Sequence, residues 1–203
     1  MSWKKDSVKD MNFHKATYTA SYGTSAQLPA STGPEVSFVG RSNVGKSSLL
    51  NKLMYRKDLA KVSSTPGKTA TINFYDVDGA DFVDLPGYGF AGVAKSEKVR
   101  WSELIEGYFS QTRAFALVVC LIDIRHEPSD LDLGMIRFVR DMKLPFAVVF
   151  TKADKLSNQQ CNRQKFLLKQ SLDLDENVAV MVTSSEKGTG IDELRTYIAG
   201  IID

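Results

Sequence analysis

The stretch "VGRSNVGKSSLL" at residues 39–50 decides the fold, because it contains the pattern Gly40-x-x-x-x-Gly45-Lys46-Ser47. A predicted strand, "EVSFVG" at 35–40, precedes the pattern, and a helix is predicted over 46–54. Glycines let such a loop curl until its N–H groups point inward, and the helix N-terminus adds a positive field. This combination favours the phosphates of a nucleoside triphosphate. An ordinary glycine turn before a helix is the alternative, and the motif does not identify the base.

Two side chains of the loop have expected tasks. Lys46 is predicted to bridge the β- and γ-phosphates, and the Ser47 hydroxyl is predicted to ligate Mg²⁺. The residues predicted to surround the phosphates are Gly40, Arg41, Ser42, Asn43, Val44, Gly45, Lys46, Ser47 and Ser48.

The bulk composition is that of an ordinary globular protein. The 203 residues fit one domain with a proper core, and 43% of them are hydrophobic. The 26 basic and 24 acidic residues leave a net charge of +2, which neither indicates nor excludes a nucleic-acid partner. Two cysteines cannot form a disulfide framework, and no apolar run approaches the ~20 residues that span a bilayer. The amino terminus is charged and has no hydrophobic signal region, so we expect a cytoplasmic protein without membrane contact.

Strand-like runs alternate with helix-period segments from residue 35 onwards. Strands are predicted at 70–77, 81–85, 115–123, 145–150 and 178–182, and helices at 95–110, 130–141, 158–171 and from 191 onwards. Asp78-Gly79 predicts a hairpin, and "ATYTASYG" at 16–23 predicts an extra edge strand. The pattern predicts a three-layer α/β fold, a mostly parallel sheet with helices on both faces and an antiparallel edge. Residues 1–14 are expected to form a mobile arm, and 15–203 a single domain.

The base is indicated by "TKAD" at residues 151–154, directly after a predicted strand. Ligands bind at the carboxyl ends of strands in open α/β sheets. The Asp154 carboxylate can accept hydrogen bonds from N1–H and the N2 amino group of guanine, and the Lys152 stem can cover the base. Adenine would leave that carboxylate unpaired. A backbone N–H at Ser185 could meet guanine O6. The residues assigned to the base are Thr151, Lys152, Ala153, Asp154, Thr183, Ser184 and Ser185.

A third element, "DLPG", is predicted to sense the γ-phosphate and comprises Asp84, Leu85, Pro86 and Gly87. Asp84 would hold Mg²⁺ through a water molecule, and the Gly87 N–H would bond the γ-phosphate and release it after hydrolysis. Upstream, Gly67 and Lys68 precede Thr69, whose hydroxyl is the second predicted Mg²⁺ ligand; Thr65 and Thr71 compete for that role. Segments 58–70 and 86–95 are therefore expected to become ordered with GTP and to loosen with GDP.

Together these elements are typical of the P-loop GTPase (Ras-like) fold, and the chain resembles the EngB family of bacterial ribosome-biogenesis GTPases. The resemblance covers residues 15–203 and rests on "GRSNVGKSSLLN", "STPGKTATINFY", "VDLPGYGFA", "LIDIRHEPSDLD" and "TKADKL". It implies a GTP/GDP switch, with Mg²⁺, that serves assembly of the large ribosomal subunit and, through it, normal cell growth and division. The expected partners are that subunit or its assembly intermediates, and the expected state is a monomer.

The residue after "DLPG" is Tyr88, where many small GTPases have a Gln that orients the attacking water. A tyrosine cannot do this in the same way, so slow intrinsic hydrolysis is expected. A partner could supply the missing function. Alternatively, the resemblance implies that Asn43 helps to bind K⁺ beside the phosphates; local stabilisation of the loop is the competing interpretation. The residues assigned to hydrolysis are Lys46, Asn43 and Gly87. A nucleotide-gated ribosome- or RNA-binding module with negligible hydrolysis is the rival function.

Two further groups of polar residues carry open interpretations. Asp123, Arg125 and His126 could brace the loops near the phosphates, touch a partner or form a strand-end salt bridge. Arg163, Lys165 and Lys169 lie on one predicted helix, as either a solvated face or an RNA contact. Phosphate contacts would make an RNA affinity salt-dependent.

Overall fold

The computed structural model describes residues 11–60, 70–89 and 95–202, apart from the side chains of residues 95 and 98. Seven strands form one sheet in the order β1-β3-β4-β2-β5-β6-β7. The strands are β1 Thr17–Tyr22, β2 Glu35–Gly40, β3 Ile72–Val77, β4 Ala80–Asp84, β5 Phe115–Asp123, β6 Phe146–Thr151 and β7 Ala179–Val182. The helices are α1 Lys46–Leu53, α2 Lys95–Phe109, α3 Asp130–Asp141, α4 Asn158–Ser171 and α5 Ile191–Ile202.

The sheet is parallel in its centre and antiparallel at one edge. β2 pairs in parallel with both β4 and β5, and the parallel pairing continues through β6 to β7. β3 and β4 form the predicted hairpin, whose turn residues Asp78 and Gly79 have φ values of 54° and 93°. Positive φ at both turn positions matches the twist of the flanking strands. β1 pairs antiparallel with β3 at the edge, so the predicted fold class is confirmed.

Apolar side chains form one core on each face of the sheet, as the alternation of β2 illustrates. Val36 and Phe38 belong to the core under α1 and α5, whereas Val39 belongs to the core under α2, α3 and α4. Phe13 is 6% exposed and packs in the first core, so packing extends into the predicted arm. Residues 1–10 lie outside the described residues.

A buried ion pair holds the amino end of β2, opposite the phosphate loop. The Arg113 guanidinium lies 2.7 Å from a carboxylate oxygen of Glu35, and both side chains are almost fully buried. The Tyr108 hydroxyl donates to the other Glu35 oxygen at 2.8 Å. Burial, followed by the Glu35 charge, raises the pKa of Tyr108 well above its ordinary value. Because each charge is buried, removing either partner would leave an uncompensated ion.

Among the described residues, the longest helix has 15 residues, and none is long and apolar enough to cross a membrane.

Candidate functional site

The carboxyl ends of the central parallel strands meet at a cavity of about 440 Å³. The phosphate loop and the start of α1 line one side, and the loops after β6 and β7 line the other. The first side includes Gly45 and Ser48, and the second includes Thr151, Lys152, Asp154 and Ser185. The structure therefore brings together the residues that sequence reasoning assigned separately to phosphate and to base.

The phosphate loop is held by backbone hydrogen bonds to the "DLPG" region. The Ser42 N–H donates to the Tyr88 carbonyl at 2.7 Å, and the Tyr88 N–H donates to the Gly40 carbonyl at 3.2 Å. Asn43 and Gly45 have φ values of 63° and 102°. Asn tolerates this left-handed conformation better than most side chains, which provides a local reason for an Asn at position 43. Gly45 lets the chain enter α1 immediately afterwards.

Thr151 braces the loop from β6. Its buried hydroxyl donates to the Val44 carbonyl at 2.7 Å and lies 3.3 Å from the Ile122 carbonyl. The first contact joins residues 107 positions apart and ties the phosphate loop to the end of β6. Thr151 therefore acts on the site through the Val44 backbone.

Lys46, which follows Gly45 of the cavity wall, forms an ion pair with Asp84 at the end of β4. Asp84 is 5% exposed, and its other oxygen is 3.4 Å from the side-chain amide of Asn73. Ser47 follows Lys46 in the first turn of α1 and is half-buried. The end of β4 and the start of α1 thus place a carboxylate close to the turn that carries the Ser47 hydroxyl. These hard oxygen donors suit Mg²⁺.

The Lys152 ammonium is held by a backbone carbonyl of the phosphate loop and by a carboxylate at the end of β5. Its ammonium donates to the Asn43 carbonyl at 2.5 Å and lies 2.9 Å from an oxygen of Asp123. Arg125 binds both oxygens of the same carboxylate, at 2.9 and 2.7 Å. Burial alone would raise the pKa of Asp123, but the hydrogen bonds from Arg125 and Lys152 outweigh it and hold the pKa well below its usual range. Asp123 thus forms a strand-end salt bridge with Arg125 and also holds the ammonium of Lys152.

The Asp154 carboxylate faces the cavity with its orientation set by neighbours. One oxygen accepts from the Ser184 hydroxyl at 2.8 Å, and the other lies 3.0 Å from the Lys155 ammonium. These contacts, led by Ser184, hold the pKa of Asp154 below its ordinary value. The Ala153 N–H donates to the buried Thr183 carbonyl at 3.1 Å, which joins the loops after β6 and β7.

The "DLPG" segment lies directly against the phosphate loop. The Leu85 N–H donates to the Phe38 carbonyl at 3.1 Å, and the Pro86 carbonyl accepts from the Trp101 indole at 2.9 Å. A Cβ on Gly87 would lie only 3.1 Å from the Ser42 nitrogen. Any larger residue at position 87 would therefore require this segment and the loop to move apart by a few tenths of an ångström.

Tyr88 turns its side chain into the core. It is 6% exposed, and its hydroxyl donates to the buried carboxylate of Asp132 at 2.8 Å. Burial, followed by the Asp132 charge, raises the pKa of Tyr88 far above its ordinary value. A neutral phenol that is fixed on α3 is not available to position a water molecule beside the phosphates.

Comparisons with known proteins give matches over most of the chain. A family model described as "50S ribosome-binding GTPase" matches residues 35–152, more than half of the chain. "Probable GTP-binding protein EngB" of Syntrophomonas wolfei is 44% identical over 194 residues, which cover 95% of this chain and 100% of that protein. The Streptococcus mutans protein of the same description is 43% identical over 183 residues, or 90% of this chain and 93% of the relative.

The chain belongs to the EngB family. It is a GTP-binding protein with a GTPase domain. A crystal structure of a probable GTP-binding protein engB superposes with a TM-score of 0.70 at 24% identity and covers 83% of this chain and 98% of the other. Era in complex with MgGDPNP and nucleotides 1506-1542 of 16S ribosomal RNA gives 0.61 at 23% identity, over 86% of this chain and 58% of Era. These two likenesses support the fold alone.

The structure does not place every residue that the sequence assigned to the site of this EngB-family chain. Thr65, Gly67, Lys68 and Thr69 lie outside the described residues, as does most of the segment between 58 and 70. Thr71 is described, and its hydroxyl donates to the Asn73 side chain at 3.2 Å. Arg41 is exposed and lines a second cavity of about 210 Å³ beside the loop.

Two polar residues of the site were missed by sequence reasoning. Asp132 accepts from Tyr88 and also closes the N-terminal cap of α3, where the Ser129 hydroxyl donates to it at 2.6 Å. The spacing of Ser129 and Asp132 is that of a capping box, a signal that could have singled out Asp132. Asn73 contacts Asp84 from the neighbouring strand, and no sequence motif marks that position.

Proposed function

We propose that this protein is a GTP-hydrolysing switch that acts in the cytoplasm, as a monomer without membrane contact, on the large ribosomal subunit or its assembly intermediates. Through subunit assembly it would support cell growth and division. The observation that carries the GTP switch is one cavity that is lined both by Gly45 of the phosphate loop and by the oriented carboxylate of Asp154. The Lys46–Asp84 ion pair begins at the residue directly after Gly45. The description of the matching family model, which names the 50S ribosome, supports the partner.

The phosphates would lie over the N-terminus of α1, where backbone N–H groups of the loop face them. Lys46 would contact the β- and γ-phosphates in place of its present bond to Asp84. Asp84 would then be free to hold a metal-bound water. Within the described ranges, no cluster of three His, Cys, Asp or Glu side chains could hold a metal by itself. Ser47, Thr69 and phosphate oxygens would therefore hold Mg²⁺, which neutralises phosphate charge when bound.

The guanine base would lie between the loops after β6 and β7. Asp154 would accept from guanine N1–H and from the N2 amino group, with Ser184 fixing the carboxylate. The stem of Lys152 would cover the ring, since its ammonium is tied to Asn43 and Asp123. Its Cε lies 3.8 Å from the position of a Cβ built on Gly45, so the stem runs beside the phosphate loop. Ser185 lines the same cavity and would present its N–H to guanine O6.

Hydrolysis would be slow in the isolated protein. The Gly87 N–H would bond the γ-phosphate, but Tyr88 is bound to Asp132 and cannot orient the water. A partner could raise the rate by a factor of ~10³–10⁵, as activating partners do in other GTPases.

A second proposed way to raise the rate of hydrolysis is a K⁺ ion that Asn43 helps to bind beside the phosphates. Faster turnover in KCl than in NaCl is expected, and equal rates would refute this role for Asn43.

The buried phenol of Tyr88 also favours a second candidate, a nucleotide-gated ribosome- or RNA-binding module with negligible hydrolysis. A turnover assay separates the two candidates when it is run with and without isolated large subunits. Multiple turnovers in the presence of subunits would support the hydrolysing switch. Nucleotide-dependent binding without turnover would support the module.

Co-sedimentation with isolated large ribosomal subunits tests the proposed function directly. The protein is loaded with either a non-hydrolysable GTP analogue or GDP, at low and at moderate salt. Binding with the analogue and release with GDP is the expected result. Absence of binding with either nucleotide would refute the ribosomal partner and would leave the GTP-binding assignment intact.

A further inference from the structure

The exposed side of α4 combines an aromatic ring with amide and basic side chains. Phe166 is 62% exposed, more than any other large hydrophobic residue that the structure describes. Exposed positions recur along one stripe of the helix, because residues three and four apart share a face. The stripe comprises Gln159, Asn162, Arg163, Phe166 and Gln170. We call it the α4 face, and it is about 16 Å long at the rise of an α-helix.

Phe166 is not required by the core on the other side of the same helix. Leu168 is 1% exposed and packs in the core under α2, α3 and α4, as does Leu172 after the helix. α4 is therefore anchored without the Phe166 ring. An exposed aromatic ring without a packing role has a hydration cost that a binding partner would remove.

The helix that carries this ring is positively charged. α4 contains Arg163, Lys165 and Lys169 and no acidic residue. In the described part of the chain, no ion pair engages these three side chains. The nearest acidic residues along the chain are Asp154, which is bound by Lys155, and Asp173, which lies 3.8 Å from Arg140.

The site of nucleotide binding and the α4 face are adjacent but separate. α4 begins four residues after Asp154, and the Cys161 thiol in its first turn donates to the Ala153 carbonyl at 3.5 Å. Of the described residues, none from α4 lines the nucleotide cavity. Changes on the outer stripe should therefore leave guanine nucleotide binding unaltered.

We propose that the α4 face binds single-stranded RNA. A base would stack on the Phe166 ring, while Arg163 on the face and the half-buried Lys169 beside it, each one turn from the ring, contact the flanking phosphates. The amides of Asn162 and Gln170 would meet base edges. This proposal deepens the proposed function, on which it rests, by assigning ribosomal RNA a contact surface. Protein interfaces concentrate apolar anchors in a core that lacks charge, whereas the stripe that defines the α4 face contains one ring, one cation and three amides.

The test is fluorescence anisotropy of a labelled, unstructured oligoribonucleotide of about twelve residues, titrated with the full-length chain. Phe166→Ala should weaken binding about five- to a hundredfold, because stacking of each base on an aromatic ring contributes that much. Phe166→Trp should retain the affinity. Tyr18→Ala is the matched control, since Tyr18 is 51% exposed at the opposite edge of the sheet, and it should change nothing.

The salt dependence and the nucleotide affinity complete the experiment. Arg163→Gln should lower the slope of log affinity against log salt by about 0.7, the value for one phosphate contact on a single strand. All variants should bind a fluorescent GDP analogue like the parent, which shows that they are folded. No RNA binding by the parent chain, or equal RNA affinity of Phe166→Ala and the parent, would overturn the proposal.

Subunit co-sedimentation distinguishes this failure from failure of the proposed function. If the parent binds large subunits in a nucleotide-dependent way and Phe166→Ala binds the oligoribonucleotide normally, the switch stands and the α4 face is refuted. If the parent binds no subunits but shows Phe166-dependent RNA binding, the face stands and the ribosomal role is refuted. Loss of subunit binding by Phe166→Ala with unchanged RNA affinity would indicate a protein partner, and Phe166-dependent self-association would indicate a second copy; either result overturns the RNA proposal.

Discussion

Replacing Asp154 by Asn should convert guanine binding into xanthine binding. In the free protein each carboxylate oxygen has one side-chain contact, from the Ser184 hydroxyl at 2.8 Å and from the Lys155 ammonium at 3.0 Å. Guanine offers two donors to this carboxylate, and an amide has only one oxygen to accept them. Each lost hydrogen bond to a charged group costs about 1.5–3 kcal/mol. The loss of one such bond is expected to lower the GDP affinity by about 10–10²-fold.

Xanthine carries a carbonyl where guanine has its amino group, so the amide nitrogen that Asp154→Asn introduces can donate to it. Competition against a fluorescent GDP analogue gives the affinities for GDP, xanthosine diphosphate and ADP. Asp173→Asn is the matched control, because it makes the same chemical change at a side chain that is 98% exposed. It should leave all three affinities unchanged. Unchanged GDP affinity in Asp154→Asn, or equal weakening of GDP and xanthosine diphosphate, would refute the assignment of Asp154 to the base.

Three further substitutions test the contacts that support the site. Tyr88→Phe removes a donor from the buried Asp132 carboxylate, at a cost of about 1.5–3 kcal/mol, and should lower Tm by about 3–12 °C in calorimetry; an unchanged Tm would mean that the bond contributes nothing. Arg113→Met leaves Glu35 buried without its cation and should cost about 3–5 kcal/mol in urea unfolding, part of which the added change Glu35→Gln should restore. Asp123→Asn should destabilise the protein at pH 7. Since the pKa of Asp123 is depressed in the folded protein, the parent loses this stabilisation as the pH falls below about 4. The difference in unfolding free energy between the parent and Asp123→Asn should therefore become smaller below that pH. A difference that does not change with pH would contradict the ion-pair explanation.

Local sequence signals predicted most strands and helices, because these signals depend on residues that are close together in the sequence. β5 spans Phe115–Asp123, the range predicted from one unbroken apolar run. α3 and α4 also have their predicted bounds, and each begins after a Ser whose side chain accepts from a backbone N–H of the first turn. Such caps act over three residues, so sequence alone can locate them. Boundaries in the antiparallel part of the sheet were less accurate, since β3 begins at Ile72 and not at residue 70.

By itself, the sequence determined which chemical groups the site can contain and in what order they occur. Short sequence patterns contain the loop glycines, Lys46, Lys152 and Asp154. The kind of ligand that such patterns indicate can therefore be predicted without a structure. Family membership followed from the same patterns and agrees with the comparisons.

Only the tertiary structure decided how those groups are oriented. Tyr88 could have faced the phosphates or the core, and Asp132, 44 residues away, holds it in the core. Lys152 is aimed by Asp123 and by the Asn43 carbonyl, contacts that exist only because β2, β5 and β6 are neighbours. Hydrogen bonds between residues far apart in sequence depend on strand order and register, and no local pattern encodes either of these.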